Sequence, residues 1–180
     1  TPLYSSAASD VYKRQDQEWP DVSTEALLEN NHSWLGSYYG NVKKSDDLKR
    51  IPLKDALLTF LGWDFQQQIN QLAPEKIAVP TGSSIKIEYL MNGGVPILAV
   101  RLQELFGMTD TPKINNGRTA VVLHLLSPGY KPVQVTSDLR SFWNNAYFEV
   151  KKELKRRYPK HAWPEDPLNA VPVAKGRPMK

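Results

Sequence analysis

The residues best suited to chemistry lie near the C-terminal end. Lys151, Lys152, Lys155, Arg156, Arg157 and Lys160 place six cations within ten positions, a density suited to the phosphates of a nucleic acid strand. Tyr158 and Trp163 fall among and just after them, available for packing or stacking. Arg101 and Arg118 flank expected sheet turns and could line the same groove, although nothing in the sequence orients them. A cation run has a plainer reading as well, a solvated helix face close to the negative end of the helix dipole.

Catalytic chemistry does not assemble. His32, His124 and His161 show no ligand spacing: one is on a helix, one inside an apolar strand, one in a proline-rich tail. Glu149 and Glu153 are one helical turn apart, like a carboxylate pair. Lys152, Arg156 and Arg157 stand within helical reach, so solvated ion pairs explain them better. Pro80-Thr81-Gly82-Ser83-Ser84 resembles a phosphate-binding loop only faintly. No Gly-Lys-Ser/Thr follows, and a phosphate loop needs that lysine on the phosphates and that hydroxyl on magnesium. The segment therefore reads as a turn.

The elements that carry the cations can be read from the pattern. Val121, Val122, Leu123, Leu125 and Leu126 form a short apolar run, expected as a strand covered on both faces. Ser127-Pro128-Gly129-Tyr130-Lys131-Pro132 is turn chemistry, and Val133 and Val135 leave it as a second strand. Thr136, Ser137 and Asp138 offer N-caps to a long helix whose apolar stripe is Leu139, Phe142, Trp143, Ala146, Val150 and Leu154. The opposite face holds Lys151, Lys152, Lys155, Arg156 and Arg157. Pro159 sets the helix end by Tyr158. Trp163 is expected to dock on the domain surface.

Upstream, Asp21 or Ser23 caps a helix with Leu27, Leu28, Trp34, Leu35, Tyr38 and Tyr39 on its apolar side. After a polar break, Asn41 to Asp47, a second helix starts at Pro52 with Leu53, Leu57, Phe60, Leu61, Phe65, Ile69 and Leu72 as its stripe. Gly62 is placed to kink it and Pro74 to end it. The period then changes to alternation. Ile85, Ile87 and Tyr89 face one way, Asn92-Gly93 signals a reversal, and Ile97 to Val100 is the partner strand. Pro96 suggests that this strand begins at a sheet edge. Leu102, Leu105 and Phe106 suggest a short helix stopped by Gly107, and Asn116-Gly117 turns the chain again. The expected fold class is α+β: a helical lead-in, then a small, mainly antiparallel sheet packed by a long amphipathic C-terminal helix.

LLSPGYKPVQVTSDLRSFWNNAYFEVKKELKRRYPKHAWPEDP, together with VPTGSSIKIEY at Val79 to Tyr89 and LAVRLQELFG at Leu98 to Gly107, resembles the C-terminal part of bacterial HrpB-type DEAH-box ATP-dependent helicases. The joint occurrence of FW, RYPKH and WPEDP makes the resemblance specific, and it covers nearly all of the chain from Asp16 onward. It implies an accessory domain whose ATP-hydrolysing motor, with ATP and Mg, lies upstream. No DExH element occurs here, and no cofactor is expected on this stretch itself. The implied partners are an RNA or DNA strand and the chain's own motor domains. The other reading left open is a structural or protein-interaction module that braces the motor without touching nucleic acid.

Ser5 to Gln15, SSAASDVYKRQ, spells the translation of a common transposase-based sequencing adapter, and Thr1 to Tyr4 fit its index region in the same frame. Residues 1–15 are therefore expected not to be native, leaving 16–74 as a helical segment, 75–160 as the α+β domain and 161–180 as a proline-rich basic tail. The formal charge of the 180 residues is +4, unevenly spread. Lys151 to Lys180 hold nine Lys/Arg against three acids, a net of +6, which leaves −2 for Thr1 to Val150. A basic end on a near-neutral body suits a polyanion. There is no cysteine, which excludes disulfides and thiolate metal sites and is compatible with a reducing cytoplasm. No apolar run approaches membrane-spanning length, so no membrane partner is expected.

Overall fold

The computed structural model describes residues 19–90 and 93–174, which fall into two compact units, 19–73 with 89–90 and 93–94, and 74–88 with 95–174. The adapter-like residues 1–15, Asn92 of the Asn-Gly reversal, and Lys175, Arg177 and Lys180 of the tail lie outside the described residues.

In the first unit Ser23 caps α1 (Thr24–Glu29), its Oγ accepting from the Ala26 amide at 3.2 Å. The one helix expected through Tyr39 is instead divided into α1, α2 (Asn31–Leu35) and a 3-10 segment (Gly36–Asn41). The cause is local. The Asn30 and Asn31 side chains donate to the Ala26 and Leu28 carbonyls, competing with the helix ladder at the point where it stops. A four-residue α3 (Ser45–Leu48) occupies part of the expected polar break. α4 (Leu53–Leu72) follows Pro52 directly and is kinked at Gly62, whose φ of 78° and ψ of 170° are not helical. The Gln66 side-chain amide donates to the Leu58 carbonyl at 2.7 Å, bridging the kink. Leu57, Leu61, Ile69 and Leu72 are buried as the stripe requires, whereas Phe60 is 41% exposed.

The second unit is built on a five-stranded sheet in the order β1-β2-β3-β6-β7. Its strands are β1 (Lys76–Ala78), β2 (Ser84–Glu88), β3 (Ile97–Arg101), β6 (Val122–Leu126) and β7 (Pro132–Thr136). A two-stranded ribbon of β4 (Lys113–Ile114) and β5 (Thr119–Ala120) stands apart from it, closed through Asn115, Asn116 and Gly117, all at positive φ. Three of the four pairings in the main sheet are antiparallel and β3–β6 is parallel. The α+β class with a mainly antiparallel sheet is therefore the observed one.

Two strand expectations are corrected. β3 is an interior strand, not an edge. Pro96 sits one residue before it, where a missing amide breaks no ladder bond, and its carbonyl accepts from the Val122 amide. The proline within a strand is Pro132, on edge strand β7. β6 is not equally covered on its two faces. Leu123 and Leu125 are fully buried while Val122, His124 and Leu126 are half-buried, beside exposed Ala99 and Val135 on the neighbouring strands.

Candidate nucleic-acid interface

The cation-bearing helix starts at Asp138, whose carboxylate accepts from the Ser141 amide at 2.9 Å. It runs as α5 (Leu139–Ser141), a π-helical turn (Phe142–Ala146) and α6 (Tyr147–Arg157). In the π turn the Tyr147 amide bonds to the Phe142 carbonyl, five residues back. One extra residue per turn shifts every later side chain round the helix. The buried set is Leu139, Phe142, Trp143, Tyr147, Lys151 and Leu154, and the expected Ala146 and Val150 are displaced to half-buried positions.

Lys151 thereby moves from the expected solvent face into the interior. Its side chain is 8% exposed and its Nζ lies 2.6 Å from Glu165 Oε1, a carboxylate of the Trp-Pro-Glu-Asp-Pro stretch. The hydrogen bond from Lys151, and then its charge, hold the Glu165 carboxyl below the usual carboxylate range. Tyr147 donates its hydroxyl to the Pro164 carbonyl at 2.8 Å, and Trp163 donates its indole N–H to the Tyr158 carbonyl at 2.8 Å. Gln103, 1% exposed, donates to the Ala162 carbonyl, and the Gly107 amide donates to Pro167 O. Phe106, Trp143 and Tyr147 form an aromatic cluster beneath these bonds, with centroids 5.3 to 6.3 Å apart. The tail is thus fastened across the helix, and Trp163 docks on the domain as expected.

The other cations remain outward. Lys152, Lys155, Arg156, Arg157 and Lys160 are exposed. Arg157 is 3.7 Å from Glu153, and Lys152, Arg156 and Lys160 form no ion pair among the described residues. Arg118 is exposed on the β4–β5 ribbon. Arg101 is not free: its side chain is 13% exposed, its Nε donates to Glu104 at 2.8 Å, and its guanidinium lies 5.0 Å from the centre of the Tyr130 ring. Five of the eight cations singled out in the sequence therefore surround the end of α6. Tyr130, 65% exposed in the β6–β7 turn, enters the sequence reading only as a member of that turn. An aromatic residue inside a Pro-Gly-Tyr-Lys-Pro turn was the available signal.

The sequence pattern of the ATP-dependent helicase C-terminal family, HrpB_C, matches residues 34–167. The chain belongs to that family. It is also 44% identical over 158 residues to the ATP-dependent RNA helicase HrpB of Escherichia coli strain K12, covering 88% of this chain and 19% of that protein. The crystal structure of the E. coli DExH-box NTPase HrpB superposes with a TM-score of 0.87 at 41% identity, over 99% of this chain and 21% of the other. A crystal structure described as the E. coli DEAH/RHA helicase HrpB gives a TM-score of 0.72 at 40% identity, over 90% and 20%. The chain spans about a fifth of the length of the relatives it matches.

Among the described residues, none fit ATP and Mg, which an ATP-dependent helicase family implies. Thr81 to Ser83 form the β1–β2 hairpin turn, closed by the Val79 amide on Ser83 O and the Gly82 amide on Val79 O. Lys86 is in β2 opposite Lys76, so no lysine follows that turn into a helix to meet a phosphate. Among the described residues no three His, Cys, Asp or Glu side chains come together to hold a metal ion, and no helix is long and apolar enough to cross a membrane.

Proposed function

We propose that the chain is the C-terminal accessory domain of an HrpB-type ATP-dependent helicase and supplies a basic surface that holds a nucleic acid strand while a motor elsewhere in the protein uses ATP and Mg. The observation that carries this reading is the outward group of Lys152, Lys155, Arg156 and Lys160 around the end of α6, exposed where burial could have neutralised them. Such a surface grips phosphates, so binding is weakly sequence-dependent. Its setting is the cytoplasm and its partners are an RNA or DNA strand and the motor domains. This reading leaves Lys151, 8% exposed and paired with Glu165, out of the gripping surface.

Reversing Lys152, Lys155 and Arg156 to Glu tests the reading. Loss of single-strand affinity with an unchanged melting temperature supports it. Undiminished affinity in a folded variant leaves the bracing module, for which the fastened tail is the favouring observation.

A further inference from the structure

Tyr130 is an aromatic ring that the fold holds out to solvent. It sits at φ 59°, a left-handed backbone that a bulky side chain rarely adopts. The turn around it is closed three times: Tyr130 N to Ser127 O at 2.9 Å, Ser127 N to Lys131 O at 2.8 Å, and Lys131 N to Ser127 Oγ at 3.1 Å. The Arg101 guanidinium lies over the ring and is itself fixed by buried Glu104, whose side chain is 5% exposed. The ring is thus rigid, supported by a cation, and still 65% exposed. Nothing in the core explains a bulky residue there.

Its surroundings are basic. Gly129 packs so closely on the Tyr158 hydroxyl that an added Cβ would lie 2.7 Å from it, which joins the turn to the end of α6. Arg157 and Lys160 flank Tyr158, and exposed Lys131 follows Tyr130. On the helix end Glu153 lies 3.7 Å from Arg157. A rigid aromatic face bordered by cations matches a base and its flanking phosphates on a single strand.

We infer that Tyr130 is a base-stacking residue: it receives one nucleobase on the ring while the cations of the turn and helix end hold the adjoining phosphates. The inference rests on the nucleic-acid reading above and adds to it a contact that the phosphate backbone alone does not make. Because stacking is sequence-tolerant, Tyr130 would strengthen binding to any base-bearing strand.

The test compares a fluorescent oligouridylate with an abasic oligonucleotide of equal length, using the full chain, wild type against Tyr130→Gly and Tyr130→Phe. Glycine suits the left-handed backbone, so Tyr130→Gly keeps the turn and removes only the ring. The expected result is a loss of roughly five- to hundredfold in affinity for oligouridylate in Tyr130→Gly, no change for the abasic strand, and wild-type binding by Tyr130→Phe. Equal binding of both strands by wild type and Tyr130→Gly, or an equal loss of both, overturns the stack and leaves the basic surface standing. Failure of the wild type to bind either strand overturns the surface reading itself, and the stack with it.

Discussion

Lys151 and Glu165 meet at 2.6 Å across the gap between a helix and the tail that follows it, one side chain 8% exposed and the other 85%. The first lysine of the basic run is thus a structural clamp, whereas its neighbours Lys152, Lys155 and Arg156 stay exposed. The distinction is set by the π turn upstream, which shifts the helix frame by one residue and carries Lys151 round to the buried side.

Glu165 makes this clamp sensitive to acid. Its folded-state pKa is depressed by the Lys151 hydrogen bond, so the unfolded chain takes up its proton at the higher pH. The stabilisation is present above the unfolded value, near 4.5, and is lost as pH falls through the folded one. Thermal melts of wild type and Glu165→Gln should therefore differ at pH 7 and converge in acid. A difference that persists unchanged at low pH contradicts the clamp.

Tyr147 sets the opposite limit. Burial, and then the charge of Glu165, push its phenol well above its ordinary 10.0. A raised pKa contributes stability that is complete below the unfolded value and lost as pH rises above it. Urea midpoints should fall steeply above about pH 10 in wild type and less steeply in Tyr147→Phe. At neutral pH the same variant leaves the Pro164 carbonyl without its donor and should cost about 1–2 kcal/mol.

Gly129 and Tyr158 form a pair that a double-mutant cycle can read. Gly129→Ala places a Cβ 2.7 Å from the Tyr158 hydroxyl but at an ordinary 3.5 Å from its ring, so the turn or the helix end must move. The expected cost is about 1–3 kcal/mol by urea unfolding, and Tyr158→Phe should recover most of it by deleting the hydroxyl. Additive costs would show that the two do not touch.

Gly62 tests the kink in α4. Nothing lies within 4 Å of a Cβ built there, so Gly62→Ala meets only its backbone, at φ 78° and ψ 170°. That region is essentially reserved for glycine, and the substitution should cost about 1–3 kcal/mol in denaturant unfolding. A neutral or stabilising result would mean that the helix runs straight in solution.

The sequence announced the elements that punctuation and periodicity govern. Ser23 as a cap, Gly62 as a kink, the Ser127–Lys131 turn and the helix end before Pro159 all depend on neighbours in the chain. Long-range facts were hidden. Pro96 gave no sign that a later strand would pair beside it in parallel, since that partner is β6, beyond the β4–β5 ribbon. The burial of Lys151 required knowing of a π turn, which leaves the composition of the helix unchanged and alters only which residues share a face. Tyr130 was passed over because turns are read for their glycines and prolines, while its role depends on Arg101, distant in sequence and adjacent in space. The cations stand out in the sequence as a group, but only the three-dimensional frame separates those that face outward from those already engaged.

Whether the end of α6 grips phosphates is measured most directly by the single-strand affinity of the full chain as salt is raised. Each phosphate neutralised should contribute about −0.7 to the slope of log K against log salt, so three to five contacts give a slope of roughly −2 to −3.5. In Lys152→Glu/Lys155→Glu/Arg156→Glu the slope should flatten by about 2. A wild-type affinity that does not change with salt, or a slope that survives the triple reversal in a folded protein, would contradict the account.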